Sequence, residues 1–400
     1  MKNPALWGTL KARYEAARPR KMLALDGGGI RGVLTLAMLE ALERQVGPLH
    51  EFFDYIAGTS TGAIIAAGLA RGMSVAELID FYRKFGPQMF QKTHFLARLN
   101  SLYNNGALEQ QLKKTFGEAT SLRCDTEGSA LKTLLLVVTR NVTTDSPWPI
   151  SSNPEARYNL LGRADCNLNI PLWQLVRAST AAPIYFPPEV ISWNRDDPSK
   201  SFVFVDGGLT PYNNPAFLLY RFATDPAYRL EWPRGEDRLL LVSVGTGAAP
   251  ASGATADDPD SNMLATGVGI PSALMYGSLV DQDINCRAVG RCTYGAVIDR
   301  ELLDMIPRAG GDEGSVQDRL AREKVPLSTG LDRAFLYARY NVELSADGLR
   351  TLGFPDVEPK SVQKMDAATP EHIELLLKIG RAAARQVDKA HFGRFATPAS

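Results

Sequence analysis

The chain has little histidine, little cysteine and no excess charge, and each shortage narrows what it can be. Its 400 residues include four histidines and four cysteines. Cys124, Cys166, Cys286 and Cys292 form no CxxC pair, which excludes the common zinc and redox motifs and reads as reduced, structural thiols. Lys+Arg 44 balance Asp+Glu 44, so the chain as a whole has no field that would draw it to a nucleic-acid polymer. No apolar run approaches the roughly 18 residues of a membrane span. Residues 1–21 hold six basic side chains and one acidic one, but neither the apolar stretch nor the small-residue cleavage site of a secretory signal, and a cytoplasmic protein is expected. Internal repeats and low-complexity tracts are missing too. What is present is 45% hydrophobic and 22% charged residues, enough for one large core domain or two ordinary ones.

Apolar strand-like runs alternate with helical periodicity. Residues 21–26, 52–57, 134–139, 202–205 and 239–244 read as strands, with helices over 33–45, 63–70 and 172–179. This alternation predicts an α/β fold with a central, largely parallel sheet and helices on both faces. Three parts are expected: an N-terminal basic arm or helix (1–20), a catalytic core (21–250), and a mostly helical C-terminal extension packed on the same domain (251–400). In the first part, Leu6, Leu10, Tyr14 and Ala17 make one apolar stripe, with Lys11, Arg13 and Arg18 off it. It reads as a helix docked on the domain or as an interfacial arm for anionic lipid. Residues 74–116 look helical and are rich in large apolar groups, among them Phe81, Tyr82, Phe85, Met89, Phe90, Phe95 and Leu99. They suit core packing, or an acyl-chain groove with a cover hinged at Gly86-Pro87 and Asn104-Asn105-Gly106. Long loops are expected over 248–270 and 309–330.

Chemistry concentrates in three glycine-rich turns. Gly58-Thr59-Ser60-Thr61-Gly62 lies between a strand and a helix, where a tight turn exposes the serine hydroxyl at a helix N-terminus. Asp26-Gly27-Gly28-Gly29-Ile30-Arg31-Gly32 matches G-x-G-x-x-G in a strand–helix setting, so a dinucleotide site has to be considered. That fingerprint needs an acidic residue ending the next strand, yet this strand ends at Gly58-Thr59-Ser60, with Asp54 inside it. The glycines then offer exposed backbone N–H groups beside the serine, an oxyanion hole. Asp206-Gly207-Gly208 ends a further strand on the edge where open parallel sheets place their sites.

A serine hydroxyl needs a base. His50 sits at the start of the strand leading to Ser60, His94 in the aromatic segment, and His372 and His391 on C-terminal helices. The order Ser60, Asp206, then His372 or His391 would suit an α/β-hydrolase triad. Asp206 as direct base is the better reading, with proton transfer accompanying attack.

Together these motifs resemble those of the patatin-like phospholipases. Asp26 to Gly32, Gly58 to Gly62 and Asp206-Gly207-Gly208 match that family's three motifs in order. Ala181-Ala182-Pro183, Asn213-Asn214-Pro215 and Ser243 to Gly247 are similar to its recurrent blocks. The resemblance implies a three-layer fold and hydrolysis of acyl esters of phospholipids at a membrane surface, without metal or cofactor. Carried over by residue, Ser60 is the nucleophile, Asp206 the base, and Gly27, Gly28, Gly29 and Arg31 surround the oxyanion, with Gly32, Gly58, Gly62, Gly207 and Gly208 shaping the turns. Rival readings are a storage or binding protein of the same fold and a nucleotide-binding oxidoreductase. Beyond residue 250, the Asp281 to Arg287 segment more loosely resembles the patatin-like effectors of bacterial cyclic-nucleotide defence systems. That resemblance implies a cytoplasmic enzyme acting at the inner membrane, switched on by a cyclic nucleotide through a homo-oligomer, to degrade the cell's own membrane in antiviral defence. Arg287, Arg291, Arg333 and Arg339 are the candidate phosphate-binding forks.

Overall fold

The computed structural model describes residues 2–89, 105–125, 131–183, 185–194, 197–248, 263–296 and 333–396. His94, the aromatic stretch 90–104 and the expected loop 309–330 lie outside them.

The strands run β1 (Arg20–Leu25), β2 (Tyr55–Thr59), β3 (Leu134–Asn141), β4 (Ser146–Ser151), β5 (Glu189–Ser192), β6 (Ser201–Asp206), β7 (Leu239–Val244), β8 (Arg291–Tyr294) and β9 (Leu336–Tyr340). They form one sheet in the order β5-β6-β3-β2-β1-β7-β9-β8, with β4 paired to β3. The pairings from β3 through β2, β1, β7 and β9 to β8 are parallel, whereas β4 and β6 run antiparallel to β3 and β5 runs antiparallel to β6.

The central strands are buried on both faces, which is why they read as near-continuous apolar runs. Because side chains alternate, each strand feeds two cores. Leu23, Ile56, Leu135, Val137, Leu240 and Ala338 face one; Met22, Tyr55, Leu134, Leu136, Leu241 and Tyr337 face the other. Helices α1 (Gly32–Val46), α2 (Thr61–Ala70), α3 (Val75–Met89), α5 (Leu172–Ser179) and α8 (Pro370–Ala383) close the first core, and α4 (Asn105–Phe116) adds Leu108, Leu112 and Phe116. Helix α6 (Ala216–Thr224) and the end of α7 (Met263–Val289) close the second. The result is a three-layer α/β/α sandwich.

Three local expectations change. The second strand starts at Tyr55 rather than Phe52, because Leu49–Phe52 forms one helical turn after Pro48; Asp54 therefore precedes the strand. Residues 263–270, expected as loop, belong to α7, an apolar, small-residue stretch suited to a helix. The region beyond 250 also contributes β8 and β9 to the sheet, where helix was expected to dominate. At the N-terminus, Trp7, Leu10 and Tyr14 are buried in the second core, and Arg13 and Arg18 close on the buried Asp54 carboxylate. That stripe is docked on the domain, so it does not present an apolar face to lipid.

Candidate active site

The Ser60 turn is built from close contacts. Ser60 has φ 54°, a left-handed conformation that costs a non-glycine residue energy and is held only where surrounding structure enforces it. The enforcement is steric: a Cβ on Gly58 would lie 2.1 Å from the Gly62 carbonyl oxygen, and one on Gly62 would lie 2.3 Å from that of Leu25. Only glycines two before and two after the serine let the turn pack against β1.

Register explains how Asp206 arrives beside it. On β3, Val138 pairs with Thr59 of β2, and the next residue, Thr139, pairs with Asp206 of β6. β4 pairs with both Val138 and Thr139, and so occupies the opposite edge. β2 and β6 therefore share one edge of β3 end to end, pointing head to head. The sequence placed both residues on one edge of a parallel sheet; they do meet, but through an antiparallel strand that stops where β2 stops. A Cβ on Gly207 would fall 2.2 Å from Val138 O, so glycine is required at this junction.

Within the junction, Ser60 Oγ donates to Asp206 Oδ2 at 2.6 Å, and Gly208 N–H donates to Asp206 Oδ1 at 2.7 Å. Burial is the largest influence on Asp206 and pushes its pKa up to about 6, against the pull of Ser60, Gly208 N–H and, farther away, Arg177. The carboxylate is thus a stronger base than an exposed aspartate while still ionised at neutral pH. Ser179, at the end of α5, accepts the Ser60 N–H at 2.9 Å and donates to Val138 O at 2.7 Å. It props the Ser60 backbone, and no spacing in the sequence marked it.

Of the residues expected around the oxyanion, Gly28 and Gly29 line the cavity that holds Ser60, and their N–H groups have no partner among the described residues. Gly27 differs. Its N–H donates to Asn213 O at 3.0 Å and its carbonyl accepts Thr246 Oγ1–H at 2.8 Å. Arg31 does not line the cavity; its Nε lies 3.5 Å from Gly28 O. Burial lowers its pKa to about 10 while Asp26 opposes the shift, leaving it cationic at neutral pH. Gly27 thus spends both its backbone groups on holding the turn, and Arg31 lies against the turn's backbone at Gly28.

The cavity, about 150 Å³, is walled by Ile64, Tyr82, Met89, Leu108, Phe186, Leu209, Met275 and Met365. An apolar slot ending at an activated hydroxyl suits an acyl chain. Met275 and Met365 come from beyond residue 250, so the C-terminal region completes it.

The histidine alternative finds no support in the described geometry. His391 Nδ1 lies 2.9 Å from Tyr340 Oη, with its ring stacked on Tyr294. His372 sits in the first turn of α8, and no histidine is among the residues lining the cavity. Nor can Asp54 hold a ribose: it is buried before β2, at the opposite end from Ser60. Among the candidate phosphate-binding arginines, Arg339 pairs with Asp26, Arg287 with Asp283, and Arg333 donates to Gly290 O, while the exposed Arg291 faces Glu236. All four cysteines are free thiols, as expected. No helix among the described residues is long and apolar enough to cross a membrane.

Comparison with known proteins places the chain in a family. Residues 23–220 match the family described as patatin-like phospholipase. The chain is 29% identical to Patatin-17 of Solanum cardiophyllum over 56% of its own length and 60% of that protein's. It is 30% identical to Patatin-like protein 1 of Arabidopsis thaliana over 57% and 58% of the two chains. It thus spans about 60% of the length of the curated relatives it matches. Among solved structures, human GIVD cytosolic phospholipase A2 aligns over 98% of this chain and 63% of its own, at 12% identity and a TM-score of 0.46. Through residues 23–220, the chain belongs to the patatin-like phospholipase family.

Proposed function

We propose that the protein is a lipid acyl hydrolase working through a Ser60–Asp206 dyad. As Ser60 Oγ attacks the ester carbonyl, its proton passes to Asp206, and the developing oxyanion is received by the N–H groups of Gly28 and Gly29. Collapse expels the alcohol, which takes the proton from Asp206, and leaves acyl-Ser60. Water then attacks with Asp206 again as base, releasing the fatty acid and restoring the serine. The observation that carries this reading is the 2.6 Å Ser60–Asp206 hydrogen bond at the floor of an apolar cavity. The substrate class is phospholipid acyl esters presented at a membrane surface. A fluorophosphonate probe should label the wild type and not Ser60→Ala, with fatty-acid release from phospholipid vesicles lost in parallel. A wild type that hydrolyses lipid esters but resists the probe would sink the dyad, and a chain with neither activity would favour a binding or storage role.

Control by a small activator extends the proposal. An unrestrained phospholipase in the cytoplasm would attack its host's membrane, and Met275 and Met365 tie the C-terminal region to the cavity. A cyclic nucleotide acting on that region, by ordering a homo-oligomer, would open the site. Fatty-acid release from bacterial-lipid vesicles with and without a panel of cyclic di- and trinucleotides tests it. High release without additive, unchanged across the panel, would remove the activator.

A further inference from the structure

Gly28 and Gly29 can stabilise an oxyanion only if their N–H groups already face it when charge develops. A run of three glycines works against this, because glycine loses more conformational freedom than any other residue on being fixed. The turn is anchored at several points. Gly27 is held by Asn213 O and Thr246 Oγ1, and Ile30 N–H donates to Met365 O at 2.9 Å. The remaining anchor is Asp26, whose fully buried carboxylate is gripped by both terminal nitrogens of Arg339, Nη1 at 2.9 Å from Oδ1 and Nη2 on Oδ2.

Arg339 belongs to β9, two strands from β1. Register sets Ala24, Ser243 and Arg339 abreast across β1, β7 and β9. The arginine side chain therefore has to cross β7, and it does so at Ser243, a residue small enough to pass. Ser243 Oγ accepts from Nη1 at 2.7 Å and donates to Asn214 Oδ1 at 3.2 Å. Asn214 adjoins Asn213, whose carbonyl fixes Gly27. One guanidinium thus ties the glycine turn to β7 and to the segment that follows the catalytic aspartate.

We infer that Arg339, which lies outside the 23–220 family match, is a positioning residue for the reaction: acting through Asp26, it holds the Gly27–Gly29 turn in the orientation that receives the oxyanion. The inference rests on the hydrolase reading above. Arg339 does not line the cavity, so acyl-chain binding should not depend on it. A lysine could supply the charge but not the two-pronged grip.

The test compares full-length Arg339→Lys and the pair Asp26→Val/Arg339→Met with the wild type. The pair removes both charges together, since removing one alone would strand the other in the interior. In each folded variant kcat should fall about 10- to 100-fold, up to the lower end of the effect of deleting an oxyanion donor. KM for a soluble short-chain ester should stay within about twofold. Fluorophosphonate labelling should slow with kcat, and backbone hydrogen exchange over residues 26–30 should speed up while β3 stays protected. Wild-type kcat in either folded variant overturns the inference, as does a loss in which kcat, KM and melting temperature move together. Failure of both variants to fold would assign Arg339 to stability alone and overturn it as well. Hydrogen exchange needs no turnover: a loosened turn in a chain whose wild type never hydrolyses esters would refute the hydrolase reading and leave the anchor standing.

Discussion

Asp26 and Asp206 occupy nearly equivalent places and do opposite things. Each stands at the C-terminal end of a strand region, each precedes glycines, and each is almost wholly buried. Asp26 faces a guanidinium that engages both its oxygens. Asp206 has no such cation; its partners are one hydroxyl and one backbone N–H. Burial pushes both carboxylates up, but the guanidinium pulls Asp26 back and occupies both its oxygens, whereas Asp206, among weak donors, keeps an oxygen for the serine proton. On the proposed mechanism the same side chain is an anchor in one turn and a base in the other, and its partner distinguishes them.

Removing Asp206, the proposed base, should have the largest effect. Asp206→Asn keeps the shape and loses the proton acceptor, so kcat should drop by about 10³-fold or more, on the upper scale of general-base losses. Its melting temperature should stay close to the wild type's. Retention of most activity, together with loss in a His372 or His391 variant, would restore the triad. A third buried aspartate sharpens the contrast from the structural side. Asp54, at the far end of β2, is held by Arg13 and Arg18 and accepts the Lys21 N–H at 3.0 Å. Asp54→Ala should cost about 3 kcal/mol in denaturant unfolding, the scale for breaking a buried pair. Turnover per folded molecule should be unchanged, and a selective loss of kcat would show that the two ends of β2 are coupled.

The smallest and most graded effect is that of pH. With its pKa raised to about 6, Asp206 is ionised above that value and protonated below it. Activity should be flat near pH 7 to 8 and, well below 6, fall about tenfold per unit in kcat/KM as the base is lost. An acid limb centred near 4 would mean that burial does not raise this carboxylate, and the contrast with Asp26 would lose its electrostatic basis.

Much of this was legible in the residues because turns are local. Glycines at 58 and 62 around Ser60, and the aspartate before Gly207-Gly208, report steric demands that the chain meets within a few positions. Continuous apolar runs likewise revealed strands covered on both faces, hence an α/β sandwich. Whatever depends on partners distant in sequence was not legible. Nothing local shows that β6 runs antiparallel and meets β2 head to head on β3, that Ser179 supports the Ser60 backbone, that Gly27 spends its N–H on Asn213, or that Arg339 reaches across β7 to Asp26. By itself the sequence determined the chemistry available, a serine on a strained turn, an aspartate and a run of backbone donors. The tertiary structure alone decided which aspartate was left without a cation, because burial and pairing are properties of what the fold brings alongside a residue.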